Sequence, residues 1–190
     1  MRLHLIDTQP ELVRCWTQGF SDFAEVDIQC ADILSVAHNT LVSPANSYGY
    51  MDGGIDRLYN AHFGAEMQRH VTEAISRRPE GYLPVGASLL VRTGDARIPY
   101  LIVAPTMLTP EAVPAAHAFR ALAAVLRVAK QNADKVTDVY CPGLATGIGG
   151  VAPEDAAAEM AAAYDKWVIR EGPLDSYRNA PSIETAVTVE

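Results

Sequence analysis

Thr40-Leu41-Val42-Ser43-Pro44-Ala45-Asn46-Ser47-Tyr48-Gly49-Tyr50-Met51-Asp52-Gly53-Gly54-Ile55-Asp56 is a β-rich run that stops at proline, crosses a glycine-bearing loop and enters a helix pattern. The plan recurs at Val136 to Tyr140, followed by Cys141-Pro142-Gly143-Leu144-Ala145-Thr146-Gly147-Ile148-Gly149-Gly150. A strand, glycine loop and helix in this order turn unpaired backbone N–H groups toward the loop, where the helix dipole adds partial positive charge. Glycine removes the Cβ, so a phosphate oxygen can touch the backbone and φ can turn positive. If the two strands are parallel neighbours, their loops open into one cleft suited to a diphosphate or a nucleotide.

Outward from these loops, strands and helices alternate. Leu3 to Ile6 reads as a strand, and Thr8-Gln9-Pro10-Glu11 as a capping box opening a helix to about Gly19. Further strands are expected at Glu25 to Cys30, Ala87 to Arg92, Tyr100 to Ala104 and Thr137 to Cys141. Helices are expected at Ile55 to Phe63, Glu66 to Arg78, Pro114 to Asn132 and from Pro153 onward. Tyr100 to Ala104 is apolar throughout, as a central strand covered on both faces requires. The expected fold is a three-layer α/β/α sandwich with a mixed, mostly parallel central sheet. Residues 1–170 form one expected domain. Residues 171–190 are read as a tail, an edge strand near Thr185 to Val189 or a disordered end.

Composition narrows the function classes. The 190-residue chain has a net charge of −8, and its only lysines are Lys130, Lys135 and Lys166. General duplex nucleic-acid binding needs clustered cations and is not expected. Cys15, Cys30 and Cys141 are odd in number and lack zinc spacing, so reduced and mostly buried thiols are expected. No metal cluster and no cofactor motif is read. The first residues are charged too early for a signal peptide, and no apolar run approaches membrane-spanning length. A soluble, cytoplasmic protein without membrane association is the expectation.

The two loops resemble those of the macrodomain family, the ADP-ribose-binding, Appr-1″-p-processing α/β module. Ser43-Pro44-Ala45-Asn46-Ser47 through Asp52-Gly53-Gly54-Ile55-Asp56 is similar to the family's N-x-A-N-S…G-G-G-V-D segment. Pro142 to Gly150 is similar to its P-x-x-S-T-G-x-x-G loop, and Asp32-Ile33 falls where its adenine-reading pair stands. The resemblance runs from about residue 23 to 168. It is nearest to a bacterial and phage subgroup through Pro105-Thr106-Met107 after the strand at 101–104.

The resemblance implies a role for each matching residue. Asp32 and the Ile33 backbone would read adenine. Asn46 would hold the distal ribose, with Gly53, Gly54 and Ile55 approaching that ribose and its phosphate. Thr146, Gly147, Ile148, Gly149 and Gly150 would wrap the diphosphate. Asp56 falls where some family hydrolases position the attacking water, and Asp52 competes for that role. The chain departs from the family pattern at Ser43 (many members have Asn), at Asp52 (the first glycine of the triplet) and at Gly149 (often an aromatic). The family's usual last strand is not clear in the tail.

Each of these residues also has a plain structural reading. Asn46 suits a tight turn, Asp52 a helix cap, Asp56 the dipole of a first turn, and Asp32 a turn or cap. Tyr48 and Tyr50 are read as a lid over the ligand or as loop anchors. Gly147, Gly149 and Ala152 also satisfy a dinucleotide fingerprint, but without the strand and acid that should follow. Cys141 is read as a buried thiol, since a cysteine-phosphatase loop would need Arg at position 147. His38, His62, His70 and His117 are scattered, with no ligand spacing.

Two function classes follow. One is an enzyme that removes a 1″-phosphate, an ester-linked protein residue or an acetyl group from the distal ribose. The other is a non-catalytic reader of ADP-ribose or of an ADP-ribosylated protein, or a scaffold on the same fold.

Overall fold

The computed structural model describes residues 1–64 and 66–171. In chain order the elements are β1 (Arg2–Asp7), α1 (Pro10–Gly19), β2 (Asp27–Cys30), α2 (Ile33–Val36), β3 (Thr40–Ser43) and α3 (Gly54–Phe63). Then follow α4 (Glu66–Ser76), β4 (Leu89–Arg92), β5 (Tyr100–Val103), α5 (Ala116–Gln131), β6 (Asp138–Cys141) and α6 (Pro153–Glu171). The expected edge strand at 185–189 lies outside the described residues.

The six strands form one sheet in the order β2-β1-β6-β3-β5-β4. Every pairing is parallel except β4 with β5. Successive side chains on a strand point to opposite faces, and the core divides accordingly. Leu3, Leu5, Val42, Ile102, Val139 and Cys141 join α1, α5 and α6 on one face. Ile6, Leu41, Leu101, Val103 and Tyr140 join α2, α3 and α4 on the other. The sheet therefore lies between two helical layers, and its inner strands are apolar because both faces are covered. No described helix is long and apolar enough to cross a membrane.

Three local expectations change. The Thr8 capping box does not form: Gln9 is the N-cap of α1 and makes no side-chain cap bond. Instead Asp7 accepts the Gln9 N–H at 3.0 Å, and Glu11 pairs with Arg14. Residues 33–36 form a single helical turn, too short to leave a periodic pattern, with Asp32 accepting the Leu34 N–H at 3.0 Å. Asp52 caps nothing, since Gly53 is the N-cap of α3 and no side chain bonds there.

The buried polar His4 is satisfied toward the N-terminal ends of the strands. It stacks on Tyr140 at 4.2 Å and bonds to Asp27 and Asp138 at 2.8 and 3.1 Å. All three cysteines are free thiols; Cys15 and Cys141 are buried, and Cys30 is exposed.

Candidate functional site

Parallel strands leave the sheet at the same edge, so the loops after β1, β3, β5 and β6 share one end of the molecule. They enclose a cavity of about 330 Å³. Both glycine loops line it, as do Asp7, Thr8, Gln9, Thr106 and Met107. The cavity depends on β3 and β6 being parallel neighbours, which joins two stretches about a hundred residues apart in sequence.

The loop after β3 is held by its own polar groups. Asn46 Oδ1 accepts the N–H groups of Tyr48 and Tyr50 at 3.1 and 3.3 Å, while its Nδ2 donates to the Tyr50 carbonyl at 3.0 Å. The Thr106 and Ser47 N–H groups donate to the carbonyls of Ala45 and Met107, extending the β3–β5 pairing past the strand ends. Gly49 has φ +78°, and a Cβ there would lie 2.7 Å from Ile75 Cδ1, so only glycine fits this turn. Tyr50 is 55% exposed on the cavity rim, whereas Tyr48 packs toward Tyr82 with ring centroids 6.3 Å apart.

The loop after β6 is built differently. Asp7 accepts the Gly143 N–H at 3.0 Å, which ties its start to β1. The Gly149 carbonyl accepts the Val113 N–H at 3.0 Å, which ties the loop's end to the segment before α5. A Cβ at Gly149 would lie 2.6 Å from the Ala145 carbonyl oxygen, so an aromatic there would displace the turn. Gly147 is open: a Cβ would meet nothing within 4 Å. Among the described residues, the N–H groups of Thr146, Gly147 and Ile148 donate to no protein acceptor, nor do those of Gly53 and Gly54. The two loops approach each other at Gly53 and Ile148.

The cavity's carboxyl groups are Asp7, Asp52 and Asp56, and among the described residues no Lys or Arg lines it. Asp52 is exposed there. Asp56 is buried and accepts a hydrogen bond from Ser43 Oγ at 2.5 Å. Burial pushes its carboxyl up to about 7, and the Ser43 hydroxyl opposes part of that rise. Burial, with Asp7 nearby, also pushes the Cys141 thiol well above its ordinary range, which removes it as a nucleophile near neutral pH.

Of the residues singled out by sequence, Asn46, Asp52, Gly53, Gly54, Ile55, Asp56, Thr146, Gly147, Ile148 and Gly149 come together around the cavity. Asp32, Ile33 and Gly150 do not line it. Asp32 is exposed and caps α2, while Ile33 is buried in the core. Gly150 sits just behind the loop at φ +66°. Sequence reasoning missed Asp7, Thr8 and Gln9. Their signal was strand order, since an apolar strand ending in Asp-Thr-Gln matters only once β1 is known to lie beside β6. Glu11, Cys15 and Glu154 place ligand-type atoms within 4.8 Å of one another on α1 and α6, but Arg14 already binds Glu11.

The family model of the Macro domain matches residues 42–160, a span that holds both glycine loops. The chain belongs to the Macro domain family. An uncharacterised protein of Aquifex aeolicus (strain VF5) is 34% identical over 138 residues, covering 72% of this chain and 78% of its own. The macrodomain of Mycobacterium tuberculosis DarG shares the fold at TM-score 0.62 and 24% identity, covering 72% of this chain and 88% of that one. A variant of the Oceanobacillus iheyensis macrodomain, solved with ADPR, has TM-score 0.62 and 18% identity over 72% of this chain and 74% of its own. Macrodomains thus include proteins that bind ADP-ribose, and this chain shares their α/β architecture.

Proposed function

We propose that this macrodomain binds ADP-ribose or a closely related nucleotide in the cavity between the two glycine loops, and hydrolyses a substituent on the distal ribose. The observation that carries the reading is the set of N–H groups at Thr146 to Ile148 and at Gly53 and Gly54, around one cavity, that have no protein acceptor among the described residues. In a cavity whose described lining holds no Lys or Arg, a diphosphate relies on such backbone donors. The diphosphate rests on Thr146 to Gly149. The distal ribose lies toward Asn46 and Gly53-Gly54-Ile55, and the base extends past β6 toward the β1 side of the cavity.

In the hydrolytic cycle a water attacks the phosphorus or acyl carbon of the substituent, and the bond from that atom to the ribose oxygen breaks. Asp56 takes the proton from the water and returns one to the ribose oxygen. A carboxyl poised near 7 is suited to both steps at neutral pH. Asp52, exposed on the same cavity, is the competing proton acceptor.

A second reading, a reader without turnover, is favoured by one observation. The Asn46 amide commits its oxygen and one of its two N–H groups to its own loop, and so holds that loop's shape. Calorimetric titration with ADP-ribose, AMP and NAD, followed by turnover of ADP-ribose-1″-phosphate and an ester-linked ADP-ribosyl peptide, separates the two. Binding with release of phosphate or peptide supports the hydrolase. Binding without release supports the reader, and no binding of any nucleotide refutes both.

A further inference from the structure

We propose that Asp52 is a charge filter at the distal-ribose end of the cavity: it disfavours a ligand whose distal ribose carries a phosphate and favours one whose substituent there is neutral or cationic. This rests on the nucleotide reading above and adds which substituents the site admits.

Asp52 immediately precedes Gly53, the N-cap of α3, and both residues line the cavity. Its side chain is exposed, caps no helix and enters no hydrogen bond or ion pair among the described residues. The fold therefore makes no structural use of this carboxylate, yet holds it on the cavity wall. It stands where the loop departs from the glycine triplet of the pattern it resembles.

The charge balance at this end separates the substituents. The N-terminus of α3, with the Gly53 and Gly54 N–H groups, contributes the equivalent of about half a positive charge. The Asp52 carboxylate outweighs it. Asp56 adds part of a second negative charge near neutral pH, since burial pushes its carboxyl up to about 7. Among the described residues no Lys or Arg lines the cavity, and Arg57, exposed on α3 outside the lining, makes no ion pair with Asp52.

The diphosphate is matched elsewhere, by the N–H groups of Thr146 to Ile148. A phosphate monoester on the distal ribose would bring about 1.5 to 2 further negative charges to the end whose balance is already negative. A neutral substituent meets no such repulsion, and a cation gains from the same field. The walls suit a substituent with an apolar part, because Tyr50 and Leu58 line the cavity with 55% and 52% of their surface exposed.

The test measures affinities of the full chain, as parent and as Asp52→Asn, in competition with labelled ADP-ribose and read before turnover. The probes are ADP-ribose, ADP-ribose-1″-phosphate and an ADP-ribosylated arginine, whose guanidinium keeps its charge. The parent should bind the phosphate compound at least about tenfold more weakly than ADP-ribose at low salt. Asp52→Asn keeps the size and removes the charge. Relative to ADP-ribose it should strengthen the phosphate compound about fivefold and weaken the arginine compound about twofold. Shifts of opposite sign are what a change of loop shape would not produce. In the parent, raising the salt to about 0.5 M should shrink the phosphate penalty, since Asp52 is exposed and its field is screened. A parent that binds the phosphate compound as tightly as ADP-ribose, or an Asp52→Asn that moves both charged probes the same way or not at all, overturns the filter and leaves the nucleotide reading intact. A parent that binds none of the three overturns both.

Discussion

The loop after β3 and the loop after β6 leave neighbouring parallel strands and both rely on glycine, yet their polar groups face opposite ways. The first is turned inward except at Gly53 and Gly54: Asn46 satisfies Tyr48 and Tyr50, and Ser43 satisfies a buried Asp56. The second is turned outward: among the described residues the N–H groups of Thr146 to Ile148 meet no protein acceptor, and the Gly147 position is open. One loop is a scaffold that holds a carboxyl in a dry place, and the other is a cradle of donors. A site that binds an anion and performs proton transfer beside it needs both. Free donors attract the charge, and a buried acid keeps a pKa near neutrality.

The largest effect should come from filling the cradle. Gly147→Glu has room for its side chain and brings a negative charge among the free N–H groups. It should fold normally and lose ADP-ribose binding by at least about a hundredfold, measured by calorimetry alongside a thermal melt. Unchanged affinity in a folded variant would mean that the outward-facing loop is not the cradle.

The scaffold loop should respond to pH. The Asp56 carboxyl is raised from 3.8 to about 7 in the folded protein, so the native state holds a proton that the unfolded chain has released between those values. The cost of burying the charge therefore grows as pH rises through that window and levels off above about 7. Asp56→Asn removes the charge. It should match the parent near pH 4 and exceed it by roughly 4 kcal/mol near pH 8, since each pKa unit is worth about 1.4 kcal/mol. Denaturant melts at the two pH values check this, and a parent as stable relative to the variant at pH 8 as at pH 4 would remove Asp56 from its buried role. If the domain is a hydrolase, the same variant should lose single-turnover rate well beyond its change in affinity.

Asn46→Ala sharpens the contrast between shaping a loop and touching a ligand. It leaves the Tyr48 and Tyr50 N–H groups without their acceptor and should cost about 1–3 kcal/mol of stability. Should stability hold while binding falls, Asn46 is a ligand contact and not a loop staple. The smallest change is expected for Asp32→Ala, which removes the α2 cap outside the cavity lining. About 0.5–2 kcal/mol of stability should be lost, with little change in ADP-ribose affinity. A larger loss in affinity than in stability would bring Asp32 into the site.

The site was partly legible. Glycine, proline and small polar residues after apolar strands have a local meaning, and Asn46, Gly53, Gly54, Thr146 and Gly147 could be picked out on that basis. The helix starts were less legible, because a cap depends on where a turn faces. Thr8 looked like a cap, but Asp7 takes the Gln9 N–H while Thr8 and Gln9 line the cavity. Asp52 looked like a cap and is exposed on the cavity.

By itself the sequence determined the alternation of strands and helices, the two glycine loops and the family they resemble, because each is carried by residues close together in the chain. Only the tertiary structure decided that β1 lies between β2 and β6, and that Asp7 and Gln9 thereby join the cavity. It alone decided that Asp56 is buried against Ser43, raising its pKa, while Asp52 is exposed on the cavity. Strand order and burial depend on contacts between distant parts of the chain, and hydrophobic periodicity records which face of an element is covered but not which element covers it.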